Sequence, residues 1–366
     1  MKFSPVLLCG VAALALSACE IRPRETASRD QSSAPPPSSM PSATPPAPQM
    51  APPPASSAPV AQAVAQAAFD AQAATPQARR DMLIRAQVLL DRAHFSPGVI
   101  DGQDGENVKN AVAAYERAHG LPEDGVLDAD VWAKLTADSG PILVDYTITA
   151  EDAAGPYTPE IPKKYEDMAK LDRLGFTGPA EALAERFHMD VALLQALNPG
   201  ADFGAAGTKI VVAWPAREAL PAKVATIEVD KGRKQVRAYD DSGELLAAYP
   251  ATVGSADLPT PSGEWAVRTI APAPTWTYDP SRLNFGDKSA GKLTIKAGPN
   301  NPVGAVWIDL TKDTYGIHGA PEPRLVGKTA SHGCVRLTNW DAVQLSKAVD
   351  KATKVKFVDG PAAAQA

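Results

Sequence analysis

The chain has 366 residues, 35 of them proline, and a formal net charge of -6. That length allows more than one domain, and the acidic balance argues against nucleic acid as a partner. Of its three cysteines, Cys9 and Cys19 fall in or at the end of an apolar leader, so Cys334 has no disulfide partner in a processed chain.

The chain opens Met1-Lys2 and continues with an apolar stretch from Phe3 to Ala18. One positive charge, a short apolar core and small residues at its end describe a secretory leader over 1–18. It is shorter than about 20 residues and runs into the charged stretch Glu20 to Arg24, which makes it marginal as a membrane span. The run Leu16-Ser17-Ala18-Cys19 resembles the lipobox of bacterial lipoproteins. The resemblance implies that Cys19 is acylated, becomes the first residue and ties the protein to a membrane; the alternative is a plain signal peptide cut after Ala18. Glu20 stands where such lipoproteins carry an aspartate for inner-membrane retention, so a periplasmic protein anchored in the outer rather than the inner membrane is expected. Residues 19–80 are dominated by Pro, Ala, Ser and Gln and are expected to form a disordered tether. As a coil, about 60 such residues reach about 45 Å.

Residues 81–138 predict a small helical domain. Met82, Leu83, Ala86, Leu89, Leu90 and Ala93 recur at helical spacing, as do Val108, Ala111, Val112 and Tyr115. The turns Asp101-Gly102 and Asp124-Gly125 precede helix starts near Asn107 and Asp128. Ser96-Pro97-Gly98-Val99-Ile100-Asp101-Gly102, Ala111 to Tyr115 and Gly120-Leu121-Pro122-Glu123-Asp124-Gly125 together resemble the three-helix peptidoglycan-binding domain. Tyr115-Glu116 replaces the Phe-Gln usual there. A helical spacer is the alternative to a peptidoglycan-binding role.

Residues 165–216 predict two short helices, Pro179 to Phe187 and Val191 to Leu197, the second capped by Asp190 and stopped by Asn198-Pro199-Gly200. A strand from Lys209 to Val212 follows. Ala180 to Pro199 and Gly207 to Val212 resemble a LysM glycan-binding module of α/β type. The usual opening strand and Gly-Asp turn are not visible before Gly175, so a docking module stands beside a sugar-binding one.

From 223 to 358 the pattern changes to strands: Ala225 to Val229, Gln235 to Tyr239, Leu245 to Val253, Lys292 to Lys296, Ala305 to Leu310 and Lys354 to Val358. A helix is expected after Thr338, with Asp341 three residues on. A mostly β domain of this size holds its own core without disulfides.

Cys334 needs a base or a positive environment, because an unperturbed thiol is only a few per cent thiolate near neutral pH. His318 and His332 both qualify as that base. His332 is nearer in sequence, whereas His318, after the strand-like Tyr315-Gly316-Ile317, could reach across from a neighbouring strand. A turn at Gly333 would aim the amides of Gly333 and Cys334 at a developing oxyanion. The alternatives are a buried structural thiol or a zinc site of His318, His332 and Cys334, for which no CxxC spacing or clear fourth ligand is present. No cofactor is called for. His94, His119 and His188 are expected to be ordinary residues of the accessory modules.

Tyr315-Gly316-Ile317-His318-Gly319, Val326-Gly327-Lys328 and Ser331-His332-Gly333-Cys334-Val335-Arg336-Leu337 resemble the L,D-transpeptidase (YkuD) catalytic domain. Thr260 to Trp265 and Asn301-Pro302-Val303-Gly304 agree, with Trp265 where Phe is usual. The resemblance implies a β-sandwich-like catalytic domain in a multidomain chain. It implies Cys334 as nucleophile, His318 as base, the Gly319 carbonyl as the group orienting His318, and His332, Gly333 and Cys334 as the oxyanion turn. Ser331 and Arg336 are expected to shape the site and contact substrate. Trp276 and Tyr278 precede Pro280 in a long loop read as a lid over the substrate, with simple hairpin packing as the alternative. The implied reaction opens the bond between the third residue and the terminal D-alanine of a peptidoglycan stem tetrapeptide. The acyl group then passes to an amine: another stem, or a lysine of a wall-linked lipoprotein. With water as acceptor the protein is an L,D-carboxypeptidase, and run in reverse a hydrolase of such links. A non-catalytic tether between membrane and wall is the alternative of another class.

Overall fold

The computed structural model describes residues 52–72, 75–216, 218–282, 289 and 291–360. The expected leader, Cys19 and the first part of the tether lie outside them. The tether expectation fails at its C-terminal end. Helix α1 (Pro59–Gln66) buries Ala61 and Val64, and the Ser56 N–H donates to the Leu143 carbonyl at 3.0 Å. Small apolar side chains suffice here because they dock on an already formed surface, so a scarcity of large ones did not imply disorder.

The next three helices form the expected helical domain. In α2 (Pro76–Arg92) the Thr75 hydroxyl accepts the Ala78 N–H and proline occupies the first turn, two features that favour a helix start. Helices α3 (Glu106–Ala118) and α4 (Ala129–Leu135) follow, the latter capped by Asp128 through the Val131 N–H. Leu89, Leu90, Val108, Ala111, Val112, Tyr115, Val131 and Leu135 interlock in its core.

Strand β1 (Leu143–Thr147), helices α5 (Ala150–Ala154), α6 (Tyr165–Met168), α7 (Pro179–Arg186) and α8 (Val191–Leu197), and strand β2 (Lys209–Ala213) make the second module. β1 and β2 are antiparallel, from Leu143 opposite Ala213 to Thr147 opposite Lys209. A strand that pairs with β2 therefore precedes α7, but at 143–147 rather than within 165–216. Its link to α7 is lengthened by a segment carrying α5 and α6, which hid it from a reading of local spacing. The module is not separate from the helical domain: Leu143, Leu183, Leu193 and Ile210 belong to the same hydrophobic cluster as Leu89 and Val112.

The third unit runs through β3 (Thr226–Asp230), β4 (Gln235–Tyr239), β5 (Leu245–Pro250), β6 (Gly263–Pro272), β7 (Trp276–Tyr278), β8 (Leu293–Ile295), β9 (Val306–Leu310), β10 (Gly316–His318), β11 (Val335–Arg336), α9 (Asn339–Ala348) and β12 (Lys354–Val358). Eight strands form one mixed sheet in the order β11-β10-β9-β6-β12-β3-β4-β5, while β7 and β8 pair separately. Strand β6 joins the two halves: Gly263 to Ala266 pair with β12, and Val267 to Pro272 with β9, across a register shift between Val267 and Thr269. Such an irregularity bends a strand. The sheet curls so that Val229, Val236 and Tyr249 from one half share a core with Ile308, Ile317 and Val335 from the other. Helix α9 contributes Ala342 and Leu345 to that core; its Thr338 cap accepts the Asp341 N–H at 3.2 Å, as expected. Strand β5 is an edge, and the helical domain covers it: Ser96 N–H donates to Ala248 O at 2.8 Å and Ala248 N–H to His94 O at 3.0 Å. Among the described residues no helix is long and apolar enough to cross a membrane.

Candidate active site

Strand β10 runs between β9 and β11, which sets His318 opposite Trp307 on one side and Arg336 on the other. The imidazole is 3% exposed and stacks on the Trp307 indole at 5.2 Å between centroids. Its Nδ1 lies 2.7 Å from the Gly319 carbonyl oxygen. A carbonyl only accepts, so Nδ1 carries the proton and Nε2 keeps a lone pair. Burial, followed by the Arg336 charge, lowers the His318 pKa to about 3 against the opposing pull of the Gly319 and Val303 carbonyls. His318 is therefore a neutral ring near neutral pH.

Cys334 sits at the end of a turn closed by its own neighbours. Gly333 has φ +119°, a conformation L side chains rarely adopt, and the Tyr315 ring lies where a Cβ would project. The Ser331 hydroxyl donates to the Cys334 carbonyl at 2.6 Å and accepts the Gly333 N–H at 3.0 Å. From the other side the Thr260 hydroxyl donates to the Gly333 carbonyl at 2.9 Å and accepts the Gly254 N–H at 2.7 Å. Burial pushes the Cys334 thiol up, opposed by the Gly316 amide and the Arg336 charge. Burial and then Arg336 also lower His332.

Cys334, His318, His332, Arg336 and Trp276 line one cavity of about 140 Å³, together with Tyr165. Five of the expected site residues thus share one wall system, and Gly319 acts on it through its carbonyl. Two expected substrate contacts do not. Ser331 is 4% exposed with its hydroxyl spent inside the turn, so it shapes that turn and does not line the cavity. Tyr278 is buried behind the wall, against Trp276 and Tyr165. Tyr165 was not legible as a site residue: it belongs to the second module, and nothing in its local sequence points at strands more than a hundred residues away. A neighbouring hollow of about 400 Å³ shares Trp276, Val303, Trp307 and Thr314 with the first and carries the Arg268–Asp309 ion pair.

Behind the site, the Asn339 side chain accepts the Ala305 N–H at 2.8 Å and donates to Glu185 of α7 at 2.6 Å. Burial, despite that hydrogen bond, pushes Glu185 up to about 8, with Glu181 adding to the rise. Among the described residues no three His, Cys, Asp or Glu side chains are grouped as metal ligands would be.

Residues 225–357 match the family model described as the L,D-transpeptidase catalytic domain, and residues 79–135 match a peptidoglycan binding domain. The protein assigned as L,D-transpeptidase YkuD in Bacillus licheniformis is 31% identical over 169 residues, covering 45% of this chain and 84% of the relative. Its Bacillus subtilis counterpart is 28% identical over 176 residues, 48% of this chain and 90% of the relative. YbiS of Escherichia coli, assigned to the same activity, is 29% identical over 193 residues, 51% of this chain and 62% of the relative.

Proposed function

Because this chain belongs to the L,D-transpeptidase family, we propose that Cys334 is the nucleophile of an acyl transfer on peptidoglycan stem peptides and that His318 is its base. The observation that carries the reading is the pairing, in one cavity, of a thiol with a buried imidazole whose Nδ1–H is spent on Gly319. As substrate binds, Nε2 of His318 takes the thiol proton while sulfur attacks the carbonyl joining the third residue to the terminal D-alanine. The tetrahedral oxyanion is met by amides of the turn. The Gly333 N–H already serves Ser331, so the reading assigns the Cys334 N–H as the main donor. His318 returns the proton to the leaving amine, D-alanine departs, and a thioester remains. An acceptor amine then attacks the thioester, His318 takes its proton, and sulfur leaves as the thiol. Gly319 plays the part an aspartate plays in other triads.

The expected result is that Cys334→Ala abolishes D-alanine release from purified tetrapeptide stems; full retention would refute the assignment. Mass analysis of the products separates crosslinking, protein anchoring and hydrolysis, which differ only in the acceptor. A non-catalytic tether would form no carbapenem adduct at Cys334.

The helical domain and the β-α-α-β module fit a role in holding the enzyme on peptidoglycan, the second as a LysM-like module with a long insertion. Acylation at Cys19 would add a membrane anchor on the periplasmic side. Labelling with a fatty-acid analogue should disappear in Cys19→Ala, and labelling that persists would sink the anchor.

A further inference from the structure

The segment between α5 and α7 leaves its own module and straps onto the catalytic unit. Leu174 is fully buried; its N–H donates to Ala297 O at 3.1 Å and its carbonyl accepts the Asn300 N–H at 3.0 Å. The Asn300 side chain donates to Gly175 O at 3.0 Å, and a Cβ on Gly298 would run into the Leu174 carbonyl. The strap is thus fixed by backbone bonds to a loop that admits it only because residue 298 is glycine. Held this way, α6 presents Tyr165 to Trp276 at 4.9 Å and to Tyr278 at 4.8 Å between ring centroids. Its hydroxyl lies close enough to Arg336 to feel that charge.

With Tyr165 seated, the cavity over Cys334 holds about 140 Å³. Sites that enclose a ligand usually offer about 300–1,000 Å³. Tyr165 is one of the walls that make this cavity narrow, so its side chain bears on the size of the group that reaches Cys334 from that side. We propose that Tyr165, supplied by the accessory module, is a specificity-determining residue that limits the size of the group reaching Cys334. The inference rests on Cys334 being the reacting thiol, and it concerns access to that thiol rather than the transfer it performs.

The test needs no transpeptidase activity. Full-length protein is treated with iodoacetamide or with N-phenylmaleimide, and modification is followed by mass spectrometry of the Cys334 peptide. The ratio of the two rates cancels the thiolate fraction and reads size exclusion. Tyr165→Ala is expected to raise the phenylmaleimide-to-iodoacetamide ratio by about tenfold, the scale on which a pocket wall discriminates by size. Tyr165→Phe, which keeps the ring, should leave the ratio unchanged, and Tyr165→Trp should lower it. An unchanged ratio in Tyr165→Ala, or a ratio that rises in Tyr165→Trp, overturns the proposal; the Trp variant decides if the Ala variant loses its fold. Failure of the catalytic reading would appear elsewhere, as absence of D-alanine release in the parent protein with the alkylation ratios intact.

Discussion

At the scale of the residue, Cys334 and His318 are both set to be neutral at rest. Burial dominates for each, lowering the imidazole to about 3 and raising the thiol above its ordinary range. In the proposed reaction the pair would therefore work by proton transfer on attack rather than as a standing thiolate–imidazolium. The kcat/KM for D-alanine release should stay flat between about pH 5 and pH 8, because neither group titrates there. An acid limb centred near the ordinary histidine value, about 6.5, would show that His318 is solvated and overturn this. The same shift bears on stability: the unfolded chain binds a proton at this position between about 3 and 6.5 while the folded one does not. His318 thus makes stability fall as pH falls through that window. The flanking motif is what singled out His318 over the nearer His332 as the expected base. The sheet adds its surroundings, since β10 carries His318 between Trp307 and Arg336.

At the scale of the element, most helices and strands were written in local pattern. Helix α8 spans Val191–Leu197 with Asp190 as its cap, α9 starts at its Thr338 cap, and β4 covers Gln235–Tyr239, all as the spacing predicted. Strand β6 was not read, because a strand that changes partners midway has a burial pattern without clean alternation. Helix α1 was lost in a Pro- and Ala-rich stretch, since two small buried residues leave too little periodicity to see. Ser331 was assigned to substrate because its position in the motif was legible and its hydrogen bonds were not. The hydroxyl is consumed by Cys334 and Gly333, so it shapes the turn that Cys334 ends.

At the scale of the whole molecule, the accessory modules are fastened to the catalytic unit by buried polar contacts. Glu123 of the helical domain meets Arg237 of β4 at 2.9 Å, with the Arg237 side chain only 3% exposed. Burial opposes ionisation of Glu123, but the hydrogen bond and charge of Arg237 outweigh it and hold its carboxyl below the usual range. Glu123→Ala should cost about 2 kcal/mol, since it removes the carboxylate from a buried guanidinium that keeps its hydrogen bond to Gln235; urea unfolding checks this, and a loss below about 0.5 kcal/mol would place the pair among surface ion pairs of little weight. His188, expected to be an ordinary module residue, joins three parts at once: it hydrogen-bonds Asp91 of α2 at 2.6 Å and stacks on Trp340 of α9 at 4.9 Å. The sequence by itself determined the order of the modules and most of their elements, and it singled out Cys334 and His318 as the candidates proposed for thiol and base, because those are carried by short-range spacing and contiguous motifs. Only the tertiary structure decided that the helical domain and the second module share one core, that β5 is covered by His94 to Ser96, and that Tyr165 walls the cavity over Cys334. Such contacts join residues far apart in the chain, and neither periodicity nor motif records which surfaces will meet.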